Sequence, residues 1–232
     1  MNAQTTARLA GASMALAAAL AIAGFTALGS VFEYPQILKE PTSDILALFR
    51  EHQGAVTGWF LVLVVSAALL APTGFLLGRL TGGTLGRWIT VVGVAAATVQ
   101  VVGLQRWVTL VPGISAEALD PTRRADSEDR FEMLHAVLGK VIGETFGYAL
   151  TATFTVLVVV ALSRRILPRW LALLGYVAAA LIATGVVIPV LEAASLSNFI
   201  GYVAWCLWLL AVAATLLLKV RDGERRAVPT VV

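Results

Sequence analysis

Residues 55–77 read AVTGWFLVLVVSAALLAPTGFLL, a run that holds no charged side chain. An α-helix rises about 1.5 Å per residue, so such a run crosses the roughly 30 Å hydrocarbon core of a bilayer with its backbone hydrogen bonds closed internally. It is far longer than a strand and lacks the polar face that a helix on a soluble core keeps toward water. Working outward, comparable apolar runs occupy 9–31, 88–111, 134–162, 170–191 and 199–218. The chain therefore reads as all-α: a single transmembrane domain over 1–232, an integral membrane bundle of six transmembrane helices. Composition agrees, since 59% of the 232 residues are apolar, 13% are charged and the mean hydropathy is +0.86, well beyond a soluble domain. The first run follows Arg8 as a signal peptide's would, but it is as long as a full span and reads as a retained helix.

The charges between the runs alternate in sign. One set of segments holds Arg8, Arg79, Arg87, Arg164, Arg165, Arg169, Lys219, Arg221, Arg225 and Arg226 against only Asp222 and Glu224. The other set carries Lys39, Arg50, Arg123, Arg124 and Arg130 against eleven acids, among them Glu33, Glu40, Asp44, Glu51, Asp126, Asp129 and Glu192. Lys and Arg are retained on the cytoplasmic side, so both termini are expected in the cytoplasm, N-in and C-in, across the inner (plasma) membrane of a cell. The net charge of +3 then follows from topology, and no nucleic-acid partner is expected. The expected partners are the lipid bilayer and either a small amphiphilic ligand or a membrane protein.

The first outer loop contains Pro41 to His52, where Ile45, Leu46, Leu48 and Phe49 alternate with Asp44, Arg50 and Glu51. That amphipathic pattern predicts a short interfacial helix capped by Ser43 and lying on the outer leaflet. The second outer loop, Ile114 to Arg130, reads as a turn at Asp120-Pro121 followed by a solvated, mixed-charge face. An internal similarity also runs through the chain. Leu85, Arg87, Trp88, Gly93, Ala96, Ala97 and Gly103 match Leu167, Arg169, Trp170, Gly175, Ala178, Ala179 and Gly185 at a constant offset of 82. Duplication of a helical hairpin and the generic demands of membrane packing both account for it.

Ionisable groups inside a bilayer cost at least about 2.5 to 3.5 kcal/mol each unless paired or hydrated, so they are the strongest pointers to function. Arg106, Lys140 and Glu144 qualify. Counted at about 1.5 Å per residue, Arg106 and Glu144 both lie about 27 Å above the inner boundary, and Lys140 and Glu192 about 33 Å above it. With Gln105 and Tyr202, joined by Asn198 and Tyr148, they outline a polar pocket in the outer leaflet. Arg106 and Glu144 are expected to pair across two helices. Lys140 and Glu144, spaced i and i+4, share a face. One reading makes this structural: Lys140 snorkels to the interface and the Arg106–Glu144 pair holds helices together. The other makes Glu144 a catalytic acid or the pocket a ligand site.

Gly139, Gly143 and Gly147 form a stripe that lets a neighbouring helix approach the fourth span closely. The two histidines, His52 and His135, fall at similar outer heights, which raises metal or b-type haem ligation as an alternative. No metal-ligand spacing, phosphate-binding loop, nucleotide fingerprint or hydrolase triad order accompanies them, so neither metal nor cofactor is expected. The lone cysteine, Cys206, sits in an apolar run and reads as packing.

The stretch from Phe32 through Glu33, Tyr34, Pro35, Gln36, Ile37, Leu38, Lys39 and Glu40 to Pro41 has a recognisable character. So do Gly103-Leu104-Gln105-Arg106-Trp107 and Gly143-Glu144 followed by Gly147-Tyr148. Together they resemble an actinobacterial membrane-protein group, the family of domain of unknown function 4386, over most of the chain. The resemblance implies a multipass membrane protein and transfers no activity and no catalytic residue. Three functions stay open on the sequence. The first is a membrane protein whose polar cluster binds an amphiphile or a partner. The second is an enzyme acting on a lipophilic substrate through Glu144, and the third is a small transporter.

Overall fold

The computed structural model describes residues 2–163 and 166–227, with side chains described through Val220. Arg164 and Arg165, and the side chains of Arg221, Asp222, Glu224, Arg225 and Arg226, on which part of the loop-charge pattern rests, lie outside the described residues. Among the described residues, six helices are long and apolar enough to cross a membrane: Ala3–Val31, Gln53–Thr81, Gly83–Glu117, Arg124–Ser163, Arg169–Val187 and Ala194–Val220. Each matches one of the six runs. Four extend past the apolar run at both ends, because backbone hydrogen bonds continue into polar residues where hydropathy has already fallen. The fifth instead stops early. It tightens into a 3-10 turn over Thr184–Val187 and ends ahead of Pro189, which has no N–H to continue the ladder.

Each span packs against its neighbours in sequence, and the sixth returns to the first, which closes a ring of six helices. Side chains from all six fill the ring: Met14, Leu77, Ile89, Phe154, Leu171 and Trp208 are among those fully sequestered there. This cluster occupies the half of the bundle that ends in Arg8, Arg79, Arg87, Arg169 and Lys219, hereafter the basic end. Pro72 and Pro112 each interrupt a span, at Leu69 and Leu110, without ending it. Beside the first break, Ser13 Oγ on the first span bonds Leu69 O at 3.3 Å and Thr73 Oγ1 at 2.8 Å. The positions related by the offset of 82 share their burial: Ala96 and Ala178 are buried, Ala97 and Ala179 are buried, and Trp88 and Trp170 are exposed.

A second cluster fills the acidic end. The short helix Thr42–Glu51 lays Ile45, Leu46 and Phe49 against Phe32, Trp107, Ile114 and Phe131, all fully or nearly fully buried. Its apolar face is thus covered by the protein itself, and the helix closes the ring like a cap. Thr42 Oγ1 donates to Glu132 at 2.8 Å, and Arg50 Nη1 donates to Ser115 O at 3.0 Å, which tie it to the fourth and third spans. Ser43 is not its N-cap. The helix begins two residues earlier than a Ser43 cap would start it, at Thr42 after Pro41, so the Ser43 hydroxyl lies inside the first turn and bonds Asp44 instead.

Candidate functional site

Between the two apolar clusters lies a polar layer built by three elements. The third span supplies Arg106 and Trp107. The fourth supplies His135 and Glu144 from an unusual segment, His135–Phe146, that winds as a π-helix. π segments widen the helix and recur where a chain positions functional groups. The turn after the first span supplies Tyr34. Glu33 there takes a left-handed conformation at φ 52, a strained state for a residue with a Cβ. This reversal turns Phe32 into the acidic-end core and brings Tyr34 against Phe60, ring centroids 5.3 Å apart, while Glu33 stays exposed.

Close helix approach places the arginine. A Cβ on Gly103 would sit 2.6 Å from Gly143 Cα, so the third and fourth spans touch backbone to backbone. One turn along, a Cβ on Gly139 would meet Arg106 Nη2 at 2.7 Å, so the missing side chain is the space the guanidinium occupies. Arg106 is only 4% exposed. Its Nη1 donates to the Gly103 carbonyl, its Nη2 meets His135 Nδ1 at 3.2 Å, and its Cζ lies 5.4 Å from the Trp107 ring centroid.

The expected ion pair between Arg106 and Glu144 is not formed: among the described residues no carboxylate lies within 4.0 Å of the Arg106 nitrogens. The height estimate behind that expectation assumed a straight α-helix, and the π segment changes both rise and facing across residues 135–146. The Glu144 charge nonetheless reaches the Tyr34 hydroxyl. Tyr34 lies outside the spans, and burial pushes its hydroxyl up to about 12. The Glu144 charge adds to that shift and the Arg106 charge opposes it.

Hydrogen-bond accounting gives the cluster its chemical character. Arginine has no acceptor, so at its contact with Arg106 the His135 Nδ1 must accept. The imidazole is therefore the neutral tautomer with its proton on Nε2. That Nε2–H has no partner, and neither does Arg106 Nε or Trp107 Nε1. All three are donors, all three belong to residues at most 8% exposed, and nothing among the described residues accepts from them. An unpaired buried donor costs about 1 to 3 kcal/mol, so the cluster lacks an acceptor. The cage around it is apolar: Phe60 stacks on Trp107 at 4.9 Å, and Phe32, Phe49 and Phe131 close the other sides at 5.2 to 5.9 Å.

Other residues proposed from sequence fall elsewhere. Gln105 is half-buried and its Oε1 accepts from Thr109 at 3.4 Å. Lys140 is exposed on the bundle surface, and Glu192 is exposed too, bridged to Lys39 at 2.5 Å, a contact that holds its carboxyl below the usual range. These three do not join the layer. Tyr202 meets Tyr148 edge-on at 5.7 Å beside the first apolar cluster, and Asn198 donates to the Ile182 carbonyl at 2.8 Å. The histidines take separate partners, His52 facing Glu51 at 3.9 Å and His135 facing Arg106, so they do not act together as axial ligands in this arrangement. Sequence reading missed Tyr34, which sits in a loop, and the role of His135. The signal for Tyr34 was the aromatic pair flanking Glu33 directly after an apolar run.

No curated protein and no solved structure matches this chain. The family model for a domain of unknown function, DUF4386, matches residues 9–213, from the first span into the sixth, and the chain belongs to that family.

Proposed function

We propose that this protein is a plasma-membrane binding protein, with both termini cytoplasmic, that holds the acceptor-bearing head of a small amphiphile at Arg106, Trp107 and His135. The observation that carries this reading is the set of three buried donors without an acceptor. A carboxylate or carbonyl head supplies what they lack, and the guanidinium charge favours the carboxylate. The aromatic cage and the surrounding bilayer suit an apolar remainder. Organic extraction of the purified protein followed by mass spectrometry tests it. The expected result is a co-purifying carboxylate or carbonyl amphiphile that is lost in Arg106→Gln and retained in Lys140→Gln. Identical extracts from all three proteins would count against the reading.

A second reading, catalysis with Glu144 as acid, draws on a different observation: among the described residues the Glu144 carboxylate has neither a hydrogen bond nor an ion pair, yet its charge reaches the Tyr34 hydroxyl. A carboxyl in such surroundings is suited to hold and release a proton. In that case Glu144→Gln keeps the bound amphiphile and blocks its conversion.

The orientation is supported by the described charges, with Arg8, Arg79, Arg87, Arg169 and Lys219 at one end and the acidic loops at the other. In a Cys206→Ala background, a cysteine replacing the exposed Asp126 should react with an impermeant thiol reagent on intact cells. One replacing the exposed Thr84 should react only after lysis. The reverse pattern would invert the topology.

A further inference from the structure

At the basic end, the second and third spans meet in a glycine contact and part again. A Cβ on Gly78 would fall 2.5 Å from Gly86 O, and one on Gly86 would fall 2.3 Å from Gly78 O. The chain reverses just beyond, through Gly82 at φ 70 and Gly83 at φ 59. Two helices this close leave a furrow where their side chains diverge, and here it is an open cavity of 270 Å³ lined by Phe75, Arg79, Arg87, Thr90 and Val91 besides the two glycines.

The furrow is layered. Arg79 lies four residues beyond Phe75, and Arg87 lies four residues before Val91, so on both walls the arginine sits one turn, about 6 Å, nearer the helix ends than the apolar residue. Phe75 and Val91 are each 49% exposed, and so is the indole of Trp88 beside them, at 56%, the side chain that favours the boundary between headgroups and hydrocarbon. Both arginines are exposed, and no described acid pairs with either. No Asp or Glu occurs anywhere between Glu51 and Glu117. Arg79 instead rests over the Phe75 ring at 5.8 Å, a contact that an anion can displace.

We infer that this furrow is a binding site for an anionic glycerophospholipid, with its phosphate between Arg79 and Arg87 and one acyl chain along Phe75 and Val91. Charge selects the occupant, because two unpaired guanidinium groups at headgroup depth attract an anion and reject a second cation. The apolar walls one turn deeper distinguish a lipid from a free anion. The site is remote from Arg106 and independent of the reading given above for that cluster.

The delipidated full-length protein in detergent, mixed with phosphatidylglycerol or phosphatidylcholine, gives the test by native mass spectrometry. Wild type should retain phosphatidylglycerol in preference to phosphatidylcholine. R79Q/R87Q should lower that retention about thirtyfold, two basic contributions of about fivefold each, while R169Q, an exposed arginine at the same end, leaves it unchanged. V91F, which narrows the apolar wall and removes no charge, should also weaken retention, and it decides the matter if the double variant fails to fold. Equal losses in R169Q and R79Q/R87Q, no loss in V91F, or displacement of the lipid by millimolar inorganic phosphate would each overturn the proposal.

Discussion

Gly103→Val is expected to yield little folded protein. Even a Cβ at this position would lie 2.6 Å from Gly143 Cα and 3.1 Å from the Leu138 carbonyl, and both neighbours are backbone. A flexible side chain can swing aside, but here two helices have to separate. Overpacking ordinarily costs about 1 to 3 kcal/mol, and separating two backbones belongs at or beyond the top of that range. Because Arg106 follows one turn later, the same displacement pulls the guanidinium from His135 and the Gly139 notch. Gly58→Val is the matched control, since nothing lies within 4 Å of a Cβ there. Expression and monodispersity in detergent read the contrast. A folded, heat-stable Gly103→Val protein would show that the third and fourth spans do not touch at this point.

Arg106→Met is expected to stabilise the protein once bound lipid has been stripped away. A cation that forms half of a buried ion pair leaves a bare carboxylate when removed, at a cost of about 3 to 5 kcal/mol. Among the described residues Arg106 has no carboxylate within 4.0 Å and no partner for its Nε, and its contacts are a carbonyl, an imidazole nitrogen and an aromatic ring. Replacing a whole buried ion pair by apolar side chains is neutral or stabilising by about 1 to 4 kcal/mol, and a buried cation without a counter-ion loses only its hydrogen bonds when an apolar side chain of similar length takes its place. Thermal unfolding of stripped wild type and Arg106→Met should therefore show a higher midpoint for the variant, and the order should reverse when the native amphiphile is added back. A lower midpoint in the stripped variant would restore the structural ion-pair account. Arg106 thus has the profile of a residue kept for binding at the expense of stability.

The sequence carried the membrane architecture because hydropathy acts over whole segments: 55–77 and its five counterparts needed no tertiary information. Arg106 and Glu144 were also legible as unusual, since a charge in an apolar run stands out whatever its partner. Their relation was not. It depends on a π segment whose registry no apolar period reveals, and on Gly139, whose stripe reads as helix packing until the guanidinium is seen in the notch it leaves. His135 looked like an interfacial residue because counting along a straight helix puts it at the outer boundary. Its ring instead meets Arg106. Gln105, Lys140 and Glu192 were counted into the same outer region as the cluster but do not join it, because counting residues provides height and not facing.

A density map of the protein in lipid nanodiscs, at a resolution that separates water from larger groups, tests the binding account most directly. The account predicts a non-protein feature, larger than a water, about 3 Å from at least two of Arg106 Nε, Trp107 Nε1 and His135 Nε2, with apolar density running from it. A lone ordered water there, or the Glu144 carboxylate moved in to accept from the same donors, would contradict it.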